Sequence, residues 1–318
     1  MNGASDCVEP PGEDAATVLS SMTTSTTAQK NESEARTVRE GCASMASMAI
    51  FVQEAGPVDA PTVVLLHAVG TSGWMWTKQV SALATDMRVI VPDLPGHGQS
   101  NTSPWVSIAD TARLVAETVS ERVPSGRAHI VGLSLGGYVG VYLAATAPEM
   151  VASAIVSGVN VLPFPNPGRL RLMSALIAPV MKWGPVLRAN ARALNVPAAD
   201  SDGYQRAARA TTRQAFRKVS SEALDFRLPS RAKNSGCRIL AVAGENEHDL
   251  TKRSLAEIAA TFPHGEACLA SGVGHGWSGE KPELFTAMIR AEVTGSRLPE
   301  GLISVPAGDD PVSHTRSA

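Results

Sequence analysis

The chain has 318 residues, of which 44% are hydrophobic, so it can bury a sizeable core in one large domain or two small ones. Its formal net charge is −2 at pH 7, which gives no overall argument for binding nucleic acid or an acidic membrane surface. No apolar run reaches the roughly 18 residues that a membrane-spanning helix requires.

Both ends of the chain have the composition of tails. Residues 1–44 are rich in Ser, Thr, Ala and Glu without a sustained apolar period, which predicts a disordered N-terminal tail. This acidic start lacks the basic and apolar regions of a signal peptide. Residues 296–318 resemble it and are predicted to be a C-terminal tail. The four cysteines fit neither a disulfide framework nor a metal site, so we expect a cytoplasmic protein without a bound metal.

Between the tails, short apolar runs alternate with helical patterns. The predicted strands are Met48–Gln53, Thr62–Leu66, Arg88–Val91, Ala128–Val131, Ala152–Val156, Arg238–Ala243 and Glu266–Ala270. The predicted helices lie at about residues 74–84, 108–122, 135–147, 250–261 and 281–293. Strand–helix alternation with continuous apolar strands predicts an α/β fold, with a mostly parallel, doubly wound sheet covered on both faces. Residues 45–159 and 237–295 would form this core.

Residues 160–236 interrupt the alternation, since they contain no strand signal. Met173, Leu176, Ile177 and Val180 recur at the spacing of one helical face, and a second helix is predicted from residue 203 to about residue 226. Several prolines divide the segment. We therefore predict a helical cap inserted between two core strands, and we call residues 160–236 the cap segment.

The strongest motif follows the predicted strand at Ala128. Gly132-Leu-Ser134-Leu-Gly136 is a G-x-S-x-G sequence between a strand and a helix. A serine hydroxyl becomes a useful nucleophile when a sharp turn exposes it beside a base, and the two glycines remove side chains that would obstruct that turn. The helix that follows aims its N-terminal amides at the charge that develops during attack. Ser134 is therefore the candidate nucleophile.

Three further segments, together with this motif, resemble the α/β-hydrolase superfamily over about residues 46–293. The segment from Leu65 to Gln79 resembles the family's His-Gly oxyanion segment, although Ala68 stands where the family usually has glycine. The segment from Pro92 to Ser100 resembles its Asp-x-x-Gly-x-Gly-x-Ser turn, and Gly274-His275 with the following Glu280-Lys-Pro resembles its histidine segment. The resemblance implies an α/β-hydrolase fold and a nucleophile–acid–histidine order along the chain.

His275 is the candidate base, because it follows a predicted strand and has the family's flanking residues. For the acid, the family commonly has Asp three residues after the glycine that ends the preceding strand, and Glu247 occupies that place here. Asp249 and Glu245 are rival candidates. A Glu must accommodate one extra methylene, but a carboxylate of either type can orient a histidine.

By the same resemblance, the oxyanion hole would use the backbone N–H groups of Val69 and Leu135. Apolar side chains of the cap segment and of the adjoining core are candidates to line the substrate pocket. These are Trp74, Phe164, Met173, Met181, Trp183 and Phe216. The cap segment holds 13 Lys and Arg but four acidic residues, which suggests an anionic substrate, a solvated surface, or a cap docked on an acidic body.

The predicted function is a cofactor-free serine hydrolase of small-molecule carboxylic esters or lactones, which would form an acyl-enzyme on Ser134. A C–C bond hydrolase or a perhydrolase with the same three residues is an alternative. A ligand receptor that keeps the residues with little turnover, or a scaffold protein with an inactive site, would also fit the sequence. No phosphate-binding loop, dinucleotide motif or metal-ligand spacing is visible in the sequence. We expect the protein neither to bind nucleic acid nor to span a membrane.

Overall fold

The computed structural model describes residues 50–306. The tail predicted for residues 1–44 lies outside these residues. The strands are Val52–Ala55 (β1), Thr62–Leu66 (β2), Arg88–Pro92 (β3), Ala128–Leu133 (β4), Val151–Ser157 (β5), Arg238–Gly244 (β6), His264–Ala270 (β7) and Leu302–Ser304 (β8). The helices are Thr77–Leu83 (α1), Ile108–Arg122 (α2), Leu135–Thr146 (α3), Pro167–Ile177 (α4), Gly184–Ala193 (α5), Ser201–Ala210 (α6), Arg213–Asp225 (α7), Asp249–Thr261 (α8), Trp277–Glu280 (α9) and Pro282–Thr294 (α10).

The described strands form one sheet in the order β1-β3-β2-β4-β5-β6-β7-β8. Neighbouring strands from β3 to β7 are parallel, whereas β1 and β8 pair antiparallel with β3 and β7 at the two edges. The predicted α/β fold with a mostly parallel, doubly wound sheet is therefore confirmed. Parallel strands place their carboxyl ends at the same edge of a sheet, and this edge is where such folds bind ligands.

Alternate residues of the central strands pack on opposite faces of the sheet, which explains their continuous apolar sequences. In β2 all five residues are buried. Val64 and Leu66 belong to the core beneath α2 and α3, whereas Val63 and Leu65 belong to the core that includes Leu83 of α1 and Phe285 of α10. Burial on both faces makes the sheet a rigid base for the loops that carry the site.

Helices α4 to α7 lie between β5 and β6 in the cap segment. The single helix predicted from residue 203 to 226 is wrong, because α6 ends at Ala210 and α7 begins at Arg213. Thr212 separates them: its side chain caps α7 by accepting a hydrogen bond from Ala215 N, and its own N–H donates to Gly96 O at 2.8 Å. The bounds of the cap, residues 160–236, stay a prediction.

The ends of the core also differ from expectation. Within the described residues the first strand begins at Val52, where its register is set by pairing with β3, and the predicted start at Met48 lies outside them. Residues 302–304 of the predicted C-terminal tail form β8, whose Ile303 lies opposite Leu269 of β7. This edge strand is too short to show an alternating pattern in the sequence. Within residues 50–306, no helix is long and apolar enough to cross a membrane.

Candidate active site

Ser134 lies in a strained turn between β4 and α3. Its φ of 53° and ψ of −111° are unusual for a residue with a side chain, and such strain costs on the order of 1–3 kcal/mol. The turn is held by Ser134 N, which donates to Ser157 O at 2.7 Å, and by Tyr138 N, which donates to Ser134 O at 3.0 Å. Ser134 lines a cavity at this edge of the sheet, so the turn presents its hydroxyl to a bound molecule.

The two glycines of the G-x-S-x-G motif allow the strand and helix to approach closely. A Cβ at Gly132 would lie 2.1 Å from Gly136 O, and a Cβ at Gly136 would lie 2.1 Å from Leu66 O. Neither backbone oxygen can move away without breaking the packing of α3 on the sheet. The glycines are therefore required by contact distance, as the motif predicts.

Glu247 is the candidate acid that reaches the histidine. His275 Nδ1 lies 2.8 Å from Glu247 Oε2, and Glu247 Oε1 accepts a hydrogen bond from Gly244 N at 3.0 Å. The Glu247 side chain is buried, with 3% of its surface exposed. The turn from Gly244 to Glu247 is closed by Glu247 N, which donates to Gly244 O, and this tight turn accommodates the longer side chain.

The rival carboxylates have other partners. Asp249 begins α8 and lies 3.1 Å from Lys252 Nζ, with half of its side chain exposed. Glu245 Oε2 accepts hydrogen bonds from Ser271 Oγ at 3.1 Å and from Gly272 N at 2.8 Å. Glu245 therefore braces the loop that leads to His275 without contacting the imidazole.

The carboxylate of Glu247 raises the pKa of the His275 imidazole. Burial alone would lower the pKa of His275, but the hydrogen bond to Glu247 and the charge of its carboxylate raise it, and the net pKa lies above the ordinary value of 6.5. A base with a raised pKa accepts a proton more readily, and its conjugate acid is stabilised by the same carboxylate.

The imidazole rests on Gly158, the residue after β5. A Cβ at Gly158 would lie 2.6 Å from His275 Cε1 and 2.8 Å from Nδ1, and Gly158 has a φ of 67°. Ser134 and His275 line the same cavity, although no direct hydrogen bond joins them in the described structure. In sites without a bound substrate such hydrogen bonds are often long and form only when the substrate is present.

The loop that carries Val69 is tied to the turn at Ser134. Gly136 N donates to His67 O at 3.0 Å, and the buried His67 ring accepts from Leu94 N at 2.9 Å through Nε2. The N–H groups of Val69 and Leu135, the two predicted oxyanion donors, have no acceptor within the described residues. The methyl group of Ala68 causes no backbone strain, because the described residues with positive φ do not include it.

The cavity beside Ser134 has a volume of about 780 Å³ and a mostly apolar wall. Of the six predicted pocket residues, Trp74, Met181 and Phe216 line it. Phe164, Met173 and Trp183 do not, and the prediction needs correction there, because Met173 and Trp183 are largely exposed and Phe164 lies in the loop after β5.

Sequence reasoning missed much of the wall. The missed residues include Met75, Ile177, Leu187, Asn190, Leu194, Val196, Pro197 and Tyr204. Leu187, Asn190 and Leu194 recur at i, i+3 and i+7, so the helical spacing of α5 contained a usable signal. The other positions depend on how the cap segment packs on the core, which no local pattern shows.

Two contacts join the cap segment to the loops of the site. Lys78 Nζ of the core lies 2.8 Å from Asp200 Oδ2 at the cavity wall. Asn195 Nδ2 lies 3.3 Å from Glu280 Oε2, and Glu280 Oε1 accepts a hydrogen bond from Gly274 N, directly before His275. The cap segment therefore braces the histidine loop as well as closing the cavity.

Comparison with known proteins gives matches to α/β hydrolases. A family model described as "alpha/beta hydrolase fold" matches residues 61–179. An "AB hydrolase superfamily protein" of Gibberella zeae is 27% identical over 269 residues, which cover 82% of this chain and 90% of that protein. The "3-oxoadipate enol-lactonase 1" of Acinetobacter baylyi is 35% identical over 100 residues, 30% of this chain and 37% of that protein.

A solved structure with the same fold is that of "a thermophilic esterase from Thermogutta terrifontis", with a TM-score of 0.65 and 19% identity. The alignment covers 77% of this chain and 93% of that esterase. At this level of identity the likeness concerns the fold, and substrates have to be argued from the site itself.

Proposed function

The chain belongs to the α/β-hydrolase superfamily, and from this membership and the geometry of the site we propose that it is a serine hydrolase of carboxylic esters or lactones. Ser134 would be the nucleophile, His275 the general base and Glu247 the carboxylate that orients the ring. The observation that carries the proposal is the buried Glu247 at 2.8 Å from His275, together with a cavity whose wall contains both His275 and the strained Ser134.

Each residue has a defined role in the proposed reaction. Ser134 Oγ attacks the carbonyl carbon while His275 Nε2 takes its proton, and the N–H groups of Val69 and Leu135 stabilise the oxyanion. The C–O bond to the alcohol breaks as His275 returns that proton to the leaving oxygen. Water then attacks the acyl-enzyme with His275 as base, which releases the acid and restores Ser134.

The cavity favours an uncharged substrate with an apolar acyl or alcohol part. Lys78 is the one Lys or Arg in its described wall, and it is paired with Asp200. The basic residues from Arg206 to Arg217 on α6 and α7 do not line the cavity. The excess positive charge of the cap segment therefore gives little support to an anionic substrate. The enol-lactonase relative is consistent with lactone chemistry.

The test is a panel of p-nitrophenyl esters of increasing chain length and of lactones, assayed with the wild type and with Ser134→Ala. We expect sustained turnover by the wild type and a loss of at least ~10³-fold in kcat for the variant, because the three residues act as a unit. A single stoichiometric burst from the wild type would instead indicate a receptor with little turnover. Equal rates for the two proteins, or failure of Ser134 to react with a fluorophosphonate, would contradict the proposal.

A further inference from the structure

Six large apolar side chains are exposed on α4 and the turn after it. Helix α4 buries none of its residues, although Ala178 and Met181 just after it are buried and anchor the segment. Leu172 is 61% exposed, Leu176 68% and Trp183 64%. The exposed set, which we call the α4 face, is Leu172, Met173, Leu176, Ile177, Val180 and Trp183. A contiguous apolar surface of this kind usually marks an interaction site.

Four cations lie around Lys182 and Gly184, the residues on either side of Trp183 at the end of this face. A methyl group at Gly184 would lie 3.3 Å from Arg188 Nη1 and 3.8 Å from Arg209 Nη2, so both guanidinium groups flank that residue. Arg209 also donates to Lys182 O at 3.0 Å. Burial and the nearby charge of Arg213 lower the pKa of Lys182, which places Arg213 in the same cluster.

Three of the four acidic residues of the cap segment have contacts outside this cluster, and the fourth, Asp202, forms no ion pair within the described residues. Asp200 pairs with Lys78, Asp225 pairs with Arg171, and Glu222 accepts hydrogen bonds from Trp105 and Ile108 of the core. Within the described residues, Lys182, Arg188, Arg209 and Arg213 form no ion pair with a carboxylate. The apolar face is therefore joined to an uncompensated positive charge.

We propose that the α4 face and this cationic cluster form a docking surface for anionic lipid membranes. Apolar side chains with Trp enter the boundary between head groups and acyl chains, and Lys and Arg near them attract anionic head groups. Trp is also the residue type enriched at membrane–water interfaces. A second copy of the chain fits less well, because a two-fold contact would bring the two cationic clusters together.

The docking surface continues into the cavity. Ile177 is part of the exposed face and of the cavity wall, and the buried Met181 also lines the cavity. An apolar molecule could thus pass from a lipid layer to Ser134 along one apolar path. This last step rests on the proposed esterase function, whereas the docking itself does not.

The test is co-sedimentation of the full chain with vesicles of phosphatidylcholine alone or of phosphatidylcholine with phosphatidylglycerol. We expect binding to the anionic vesicles, weakened by salt, and little binding to the neutral ones. Leu176→Asp and Lys182→Glu should each reduce binding at least about fivefold. The matched controls are Val58→Asp, another exposed apolar residue, and Lys233→Glu, an exposed cation of the cap segment outside the cluster.

Three results would overturn the docking proposal: no binding to anionic vesicles, equal binding to both vesicle types, or equal losses in the control variants. Capture of an acidic protein without vesicle binding is an instance of the first of these results. Ser134→Ala should bind vesicles as the wild type does, so loss of esterase activity and loss of docking are separate outcomes. Thermal unfolding of each variant shows that the fold is retained.

Discussion

The His275 imidazole occupies space that a side chain at position 158 would take. A methyl group there would lie 2.6 Å from the ring, so Gly158→Ala should displace His275, the proposed base, from its position beside Glu247. We expect kcat to fall roughly 10- to 100-fold, since misplacement of a reacting group by about 1 Å costs this much. Steady-state kinetics on the best ester of the panel measures the effect.

Gly126→Ala is the matched control for this substitution. Gly126 has a φ of 66°, close to the 67° of Gly158, but a Cβ at Gly126 would meet nothing within 4 Å. Both variants carry the same backbone cost, and only Gly158→Ala adds the contact with His275. An equal loss of kcat in the two variants would show that the contact is irrelevant.

The pH dependence of activity should follow the raised pKa of His275. In the proposed reaction the neutral imidazole of His275 is the base, so kcat/KM should rise with pH and reach half of its plateau above pH 6.5. In Glu247→Gln the cause of the raised pKa is removed while burial still lowers it, so the midpoint should move to lower pH. We also expect kcat to fall on the order of 10³-fold.

Initial rates between about pH 5 and pH 9 give this midpoint. Asp249→Asn serves as the control, because Asp249 lies 3.1 Å from Lys252 Nζ whereas Glu247 is the carboxylate bonded to the imidazole, so the loss of Asp249 should leave the midpoint unchanged. A midpoint that moves in Asp249→Asn but not in Glu247→Gln would assign the role of the acid to the other carboxylate.

The candidate nucleophile could be predicted from a local sequence motif, but the carboxylate that contacts His275 could not. Gly132, Ser134 and Gly136 carry their own structural signal, because the turn tolerates few substitutions. Three carboxylates follow β6 within five residues, and sequence alone left Asp249 and Glu245 open beside Glu247. The contact at 2.8 Å depends on how the loops after β6 and β7 fold together, which spacing does not encode.

At the scale of elements, α6 packs closely against the core at Gly203, which has no side chain. A Cβ at Gly203 would lie 2.1 Å from Trp74 Cε2, and Trp74 lines the cavity. Gly203→Ala should push the indole or the helix aside, which raises KM and destabilises the protein by roughly 1–3 kcal/mol. Ester kinetics and thermal unfolding measure the two effects.

Gly168→Ala is the control, because Gly168 also lies in a helix of the cap segment and a Cβ there would meet nothing within 4 Å. We expect it to be neutral or slightly stabilising, since alanine favours the helix. If Gly203→Ala were equally harmless, the contact between α6 and Trp74 would not position the cavity wall.

The elements of the core could be predicted better than those of the cap segment. Helix α2 has the predicted bounds because Ser107 caps it and an apolar face runs along it. In the cap segment, the apolar period of Met173, Leu176, Ile177 and Val180 indicates a helix that does form, but α4 ends at Ile177, before Val180, and the four side chains are exposed. Periodicity shows that residues share a face, and the surroundings of that face depend on the rest of the molecule.

At the scale of the whole molecule, two buried histidines should make stability depend on pH. Burial lowers the pKa of His67 to about 4, and burial with the neighbouring His67 lowers that of His97 to about 3. Both rings are neutral in the folded protein, whereas in the unfolded chain they take up protons below about pH 6.5. The free energy of unfolding should therefore fall as the pH decreases from 6.5 towards 4, by roughly 3 kcal/mol for His67 alone. His129, whose pKa burial also lowers to about 4, adds to this fall in the same pH range.

Urea unfolding at several pH values from about 7 to 5 tests this dependence. The raised pKa of His275 acts in a separate window, since its contribution to stability is complete below pH 6.5 and is lost as the pH rises through the folded-state pKa. The two effects can thus be measured apart. An unfolding free energy that stays constant between pH 6.5 and pH 5 would show that the two rings are not buried as neutral groups.

The sheet as a whole was predictable because its central strands are buried on both faces and have a strong apolar signal. The edge strands of the sheet were less predictable. Strand β8 has three residues, two of them exposed, and forms only by pairing with β7. Such strands are determined by the partner that they pair with, and their own sequences carry little information.

The chain leaves the sheet after β5 and returns at β6, and these two strands are direct neighbours, with Ser157 opposite Val242. The two ends of the cap segment therefore lie side by side, and the length of the segment has little effect on the order of the strands in the sheet. Insertions or deletions in this part can therefore be tolerated without moving the proposed catalytic residues that follow β4, β6 and β7. Substrate selectivity can thus change through the cap segment while the proposed catalytic residues stay the same.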